Sequence, residues 1–307
     1  MIVCCGEALI DFLPRKGADG ADVFQPFAGG SVFNVAIALG RLGAHTGFLS
    51  GLSSDFFGDD LLATLKASDV YTGLCVVSEK PTTLAFVTLT DGHARYAFFD
   101  EGSAGRMFGP DDLPAIPRDV TAMHFGSISL MAEPCGTAYE TLMDNEAPHR
   151  VISLDPNVRP TLIDNRDGYL DRIDRMAAMS DIVKFSDDDL DWIAPEGGFE
   201  ALAGKWLDTG TKVVILTRGE DGARALTKTL DVSIPAPSVT VADTIGAGDT
   251  FSAGFLAKLD QASLLTKEQV ADINEADLRA ALEFAAKAAA ITASRPGADP
   301  PRLHEIA

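Results

Sequence analysis

The chain has little of what marks several common protein classes. Its four cysteines, Cys4, Cys5, Cys75 and Cys135, stand in no C-x-x-C spacing. That excludes a cysteine zinc site and a disulfide framework, and it leaves reduced, buried thiols. No apolar run approaches the ~18 residues that a membrane-spanning helix needs. The opening MIVCCGEALIDFLP has too short an apolar stretch, and turns acidic too soon, for a secretory leader. Cations are scarce, since 25 Lys and Arg face 45 Asp and Glu for a formal net charge of −20. Nucleic acid and anionic membrane surfaces both call for a basic patch, so neither is an expected partner. The expected compartment is the cytoplasm. Internal repeats, low-complexity tracts and domain-sized linkers are absent too, which points to a single domain over residues 1–307.

What is present is an alternation of short apolar runs with longer amphipathic ones, the pattern of βαβ units around a mostly parallel sheet. MIVCCG reads as a buried first strand, and SVFNVAIALGRLG (31–43) as a helix stopped by Gly43. HTGFLSGLS reads as the next strand, with a helix over roughly 56–68. Strands follow at VTAMHFGSISL, RVISLDPN, DIVKFS and KVVILT, and SVTVADT (238–244) also looks like one. An Ala-rich helix over 278–294 ends at Arg295, Pro296 and Gly297. Two stretches break the pattern. Asp91-Gly92 sits between two β-rich runs and signals a hairpin, while the segment over 11–30 is too irregular for a helix. Together they predict a separate small sheet that forms a lid, with strands from about 12–28 and 72–100.

Ligands of open parallel sheets bind beyond the carboxyl ends of the strands. Polar residues placed just after apolar runs therefore matter most: Asp11, Asp155 with Asn157, Lys184, Thr217 with Gly219, and the stretch from Asp243 to Asp249. In DTIGAGDTFSAGFL (243–256), Phe251, Phe255 and Leu259 recur at helical spacing, so Gly246-Ala247-Gly248 turns into a helix. Such a turn aims free N–H groups and the positive helix end at one spot, and glycine lets an anion approach. Two familiar phosphate loops do not fit. A G-x-G-x-x-G fingerprint needs glycine where Phe251 stands, and a P-loop needs a lysine that does not follow Gly248. Asp249 is the unusual member. An aspartate in a first turn is often there only for the dipole, but beside a bound phosphate it would repel the ligand unless it had a chemical task. It could take a proton from an alcohol attacking a phosphoryl group while the N–H groups stabilise the developing charge. GGSVFNVA (29–36) is the second constellation: Gly29 and Gly30 permit close approach, and Asn34, with Gly6 and Asp11, could bind hydroxyl groups.

The pair GGSVFNVA and DTIGAGDTFSAGF resembles the two signature regions of the PfkB, or ribokinase-like, carbohydrate kinases. The likeness continues through GEALIDFLP, GLSSDFFGDDL, DPNVRP, DIVKFSDDDL, TRGEDGA and SRPGADP, and in detail it is most similar to bacterial fructokinases. It implies an α/β fold, a three-layer αβα sandwich with a mostly parallel sheet and a small β-sheet lid. It implies transfer of the ATP γ-phosphoryl group to a primary hydroxyl of a small sugar, most readily D-fructose. By matching motif, Asp249 would be the base and the N–H groups of Gly246, Ala247 and Gly248 the anion hole. Asp11, Gly29, Gly30 and Asn34 would hold the sugar, with the lid aromatics Tyr96 and Phe98 closing over it. Arg159 on the substrate side and Lys184 on the nucleotide side would be the cations nearest the phosphates. Ser186, Thr217 and Gly219 would line the ATP site, with Ser294 and Gly297 near the adenine.

The family often carries an Asn-x-x-Glu element that organises Mg²⁺ through water; Ser186 and Asp189 stand at the matching positions here. The expectation is Mg·ATP dependence with Asp189 acting one shell out from the metal, against the plainer reading of Asp187 to Asp189 as a solvated helix start. A monovalent cation such as K⁺ is compatible with the resemblance, and so is a homodimer formed through the lids. Two other readings stand beside fructose phosphorylation. A 2-keto-3-deoxygluconate or related sugar kinase would want an arginine near the acceptor, with Arg95 and Arg106 as candidates. A catalytically silent sugar- or nucleotide-binding regulator could dispense with the base, which is intact here as Asp249.

Overall fold

All four residues of IVCC are hydrophobic, so neither side of the segment gains from facing water. It forms a strand buried on both faces, β1 (Ile2–Cys5). Ile2 and Cys4 enter one core, Val3 and Cys5 the other. The computed structural model of the chain describes residues 1–90 and 93–306, with every side chain among them except those of 88–90 and 93–96. The predicted Asp91-Gly92 turn therefore lies outside the described residues, as does the Tyr96 side chain.

Behind β1 come β2 (Leu9–Lys16), β3 (Asp22–Gly29), β4 (Thr46–Leu49), β5 (Gly51–Ser53), β6 (Val70–Tyr71), β7 (Val76–Ser78), β8 (Leu84–Thr90) and β9 (His93–Phe99). The later strands are β10 (Ala122–Gly126), β11 (Val151–Asp155), β12 (Ile182–Ser186), β13 (Val213–Thr217), β14 (Ala223–Leu226) and β15 (Asp231–Ile234). The helices are α1 (Ser31–Arg41), α2 (Phe56–Ala67), α3 (Cys135–Glu146), α4 (Arg166–Met179), α5 (Asp187–Ile193), α6 (Gly198–Thr209), α7 (Ala247–Gln261), α8 (Lys267–Ala271) and α9 (Glu275–Ala293).

The large sheet has the order β15-β14-β13-β12-β11-β10-β1-β4-β6. It is parallel from β13 to β6, with β14 and β15 added antiparallel at one edge. Residues of α1, α2, α7 and α9 fill one core and those of α3, α4 and α6 the other. The result is the mostly parallel sheet that the alternation predicted, in the three-layer α/β sandwich that the resemblance implies. A second sheet, β3-β2-β8-β9, stands apart from it, and β5 pairs with β7 in a two-stranded ribbon. Its strands come from the two stretches whose sequence broke the α/β pattern, with β2–β3 and β8–β9 antiparallel and β2–β8 parallel. Phe86 is its hub, stacked on Phe12 at 4.6 Å and edge-on to Phe24 and Phe99.

Two strand expectations change. HTGFLSGLS splits at Ser50, so β4 joins the large sheet and β5 the ribbon. Residues 238–244 form no strand. Pro235 and Pro237 remove ladder donors just upstream, and Val239 and Val241 are exposed rather than packed. Ala242 and Asp243 instead donate their N–H groups to Ala293 O, at 2.8 and 3.2 Å. The glycine turn at 246–248 is thus reached from a loop. Among the described residues, no helix is long and apolar enough to cross a membrane.

Candidate active site

Because β11, β12 and β13 run parallel, Asp155, Lys184 with Ser186, and Thr217 all arrive at the same edge of the sheet. The N-termini of α1 and α7 meet there. Between these elements and the small sheet lies a cavity of about 550 Å³. Of the predicted residues, Asp249, Gly246, Gly248, Asp11, Gly30, Asn34, Phe98, Arg159, Lys184, Ser186, Asp189, Thr217 and Gly219 line it. Gly29 lies beneath Asp11, where a Cβ would come 2.2 Å from the Asp11 Oδ2. Ser294 and Gly297 do not line the cavity. The Ser294 hydroxyl donates back to Ile291 O at 2.7 Å, while the Gly297 N–H donates to Asp243 Oδ2 at 3.0 Å. That second bond ties the segment over 295–300 to the glycine turn, and Ala298 abuts Gly246.

Gly246 caps α7 in a left-handed conformation, φ +75°, which an L side chain rarely adopts. Three N–H groups were expected to face the anion. Ala247 donates to Thr244 O at 3.3 Å, so only those of Gly246 and Gly248 are without an acceptor among the described residues. Above Gly248 stands Lys184, whose Nζ would be 3.2 Å from a Cβ placed there. Lys184 donates to Asp155 Oδ2 at 3.0 Å, and Ser252 donates to the same oxygen at 3.2 Å. Burial disfavours the Lys184 charge, but the carboxylates of Asp155 and Asp189 outweigh it and hold the ammonium above the ordinary lysine range. The positive end of α7 and a fixed ammonium thus share one spot.

Asp249 is buried beside that spot. Ser31 donates to its Oδ1 at 2.6 Å and Asn34 to its Oδ2 at 2.9 Å. Asn157 donates to Ser31 Oγ at 2.7 Å, and Arg159 to Asn157 Oδ1 at 2.7 Å, so a chain of donors ends on the carboxylate. Burial raises the Asp249 pKa above the usual aspartate value, while the bonds from Ser31 and Asn34 pull it down. On the small-sheet side, burial lifts Asp11 to about 6 against the pull of Arg159.

Residues that the sequence reading passed over complete the site. Ser31 and Glu7 are buried there; Glu7 accepts the Val32 N–H at 3.3 Å, and burial pushes it to about 7. A serine before a helix reads as a cap, and only the fold brings it to a residue 218 positions away. Asp189 is bound on both oxygens, by Val158 N at 2.6 Å and by Ser186 N and Oγ at 2.9 and 2.7 Å. It completes the capping box with Ser186 at the start of α5. Asp187 and Asp188 are exposed on the cavity wall, as the solvated helix start would have them. No cluster of three or more metal-ligating side chains occurs among the described residues.

An alcohol held at Asp11 and a phosphate held over Gly248 would meet at Asp249. That meeting point, in a three-layer fold with a parallel sheet, defines a kinase of small hydroxylated molecules. The chain belongs to the pfkB family of carbohydrate kinases, whose family model matches residues 1–305. It is 55% identical over 279 residues to the fructokinase of Rhizobium leguminosarum bv. trifolii, covering 91% of this chain and 86% of that protein. Its fold superposes on fructokinase with bound ATP from Xylella fastidiosa with a TM-score of 0.90 at 28% identity, over 99% of this chain and 96% of that one. Fructokinase from Vibrio cholerae O395, in its fructose, ADP and calcium ion bound form, gives 0.84 at 25% identity, over 97% and 94%.

Proposed function

We propose that the chain transfers the γ-phosphoryl group of ATP to a primary hydroxyl of D-fructose, giving fructose 6-phosphate and ADP. The observation that carries this reading is Asp249 itself, a buried carboxylate oriented by Ser31 and Asn34 at the positive end of α7. Asp249 takes the hydroxyl proton as the sugar oxygen attacks the γ-phosphorus. The bond from that phosphorus to the bridging oxygen breaks, and its electron pair leaves with ADP. The N–H groups of Gly246 and Gly248 and the Lys184 ammonium stabilise the charge that develops. Mg²⁺, bound to the nucleotide, would neutralise phosphate charge; Asp187 and Asp188, exposed on the cavity wall, would help to hold it, with Asp189 acting through an intervening ligand. Thr217 and Gly219 flank the nucleotide.

The acceptor side favours a neutral sugar. Asp11, Glu7 and Asp249 face it, and a substrate carboxylate would meet three acids. Of the two candidate partners for a sugar acid, Arg106 pairs instead with Asp100 at 3.0 Å, and the Arg95 side chain lies outside the described residues. The fructokinase relative at 55% identity supports the same acceptor. A silent regulator would have no use for so constrained a base. The enzyme is read as cytoplasmic, and as a homodimer joined through its small sheets, where Val23, Phe24, Phe27 and Phe99 are exposed. A coupled ADP-release assay across D-fructose, ribose, 2-keto-3-deoxygluconate and nucleosides tests the reading. Turnover without preference for fructose removes the acceptor assignment, and absence of turnover removes the kinase reaction.

A further inference from the structure

A second cleft, of about 800 Å³, opens where the far ends of α1 and α7 meet α9 and the C-terminal segment. Four of its ten lining residues are Lys or Arg, a concentration that chance does not readily give in a chain with 25 such residues in 307. Arg41, Lys258, Lys287 and Arg302 converge there with His304, and Glu283 is the one acidic residue in the lining. Arg41 and Lys258 lie in the last turns of their helices, where the dipole favours a cation. Lys287, in the body of α9, and Arg302, beyond its end, have no such reason.

These charges are largely uncommitted. Lys258, Lys287 and Arg302 form no ion pair among the described residues. Lys258 instead rests over the Phe284 ring at 5.7 Å. Arg41 uses Nη1 on Asp299 and Pro300 O, but its Nε is buried with no partner. The cleft is also partly apolar, through Phe284, Leu303 and Ile306. Lys258 stands nine residues beyond Asp249, about 14 Å along α7 at 1.5 Å per residue, so this is not an extension of the catalytic cavity.

We propose that this cleft is a second binding site, for a phosphate monoester with an apolar body. The dianion sits among Arg41, Lys287 and Arg302, and the organic part lies against Phe284 and Leu303. In a protein of net charge −20, such a ligand is repelled by most of the surface and finds concentrated cations only in a few places.

The test is a titration of the full chain with 4-nitrophenyl phosphate, followed by calorimetry or ³¹P line broadening at low salt. Saturable binding with a Kd of about 1 mM or tighter is expected. The Lys287→Glu/Arg302→Glu variant, altered at two exposed positions, should bind at least about tenfold more weakly. Lys184→Met, which alters only the catalytic cavity, should leave the affinity within about twofold. Thermal unfolding of each variant checks that it is folded. Equal binding by the doubly reversed variant, lost binding in Lys184→Met, or no saturable binding to the wild type would each overturn the proposal.

Discussion

The Ser31 hydroxyl donates to Asp249 Oδ1 across 2.6 Å and links the first residue of α1 to the first turn of α7. With the Asn34 amide on the other oxygen, it fixes the plane of the carboxylate before any substrate arrives. Preorganisation of this kind is where much of the rate of such a reaction resides.

Replacing Asp249 with Asn keeps the shape and the hydrogen-bonding reach but removes the base. We expect kcat to fall ~10²–10⁴-fold with nucleotide affinity nearly unchanged, as steady-state kinetics and ADP titration would record. An Asp249→Asn enzyme with near-normal turnover would contradict the assigned role.

Ser31→Ala removes a bond that holds the Asp249 pKa down, so that pKa, already raised by burial, should rise further. The base works deprotonated, and kcat/KM falls as pH drops through its pKa. The acidic limb of the pH–rate profile should therefore move to higher pH, with kcat roughly tenfold lower near neutrality. An unmoved limb would mean that Ser31 does not act on the base.

Asp155 and Lys184 form a buried ion pair at 3.0 Å. Asp155→Ala strands an ammonium in the interior, at a cost on the order of 3–5 kcal/mol. Chemical denaturation should show that loss, and the KM for ATP should rise because the cation above Gly248 is no longer fixed.

Burial holds the Glu7 carboxyl at about 7, above its ordinary 4.5. Its contribution is full below the unfolded value and is lost as pH rises through about 7, because the folded state holds the proton that the unfolded state releases. Global stability should therefore decline between about pH 5 and 8 by on the order of 3 kcal/mol from this group. Glu7→Gln should flatten that decline, and identical profiles for the two proteins would exclude Glu7 as its source.

A second copy docking on the small sheet would cover Phe24, which is 44% exposed, and Phe99, which is 62% exposed. Phe24→Lys should convert a dimer to a monomer in sedimentation equilibrium, and a wild type that already sediments as a monomer would end that reading.

Much of this architecture is legible in the residues. Uninterrupted apolar runs such as IVCC announce buried parallel strands, and the interruption of that pattern over 11–30 and 82–100 announces the separate sheet. Asp249 stands out because its charge conflicts with an anion-binding turn. What stays hidden is pairing across the fold. Nothing local distinguishes Ser31 from an ordinary helix start, or Glu7 from a linker residue, until α1 and α7 are brought end to end. Local β-propensity also misleads at 238–244, where two prolines stand just upstream and Val239 and Val241 stay exposed.

β1 and β2 are separated only by residues 6–8, yet they belong to different sheets. Asp11 thus rides on one sheet while Asp249 and Lys184 are anchored to the other. In the proposed reaction, part of the acceptor contact therefore sits on a different sheet from the phosphoryl chemistry. Substitutions along β2, β3, β8 and β9 can retune which alcohol is presented while the transfer machinery stays as it is. Such a division would let one ancestral body serve many sugars, with each change tried out at little risk to the reaction.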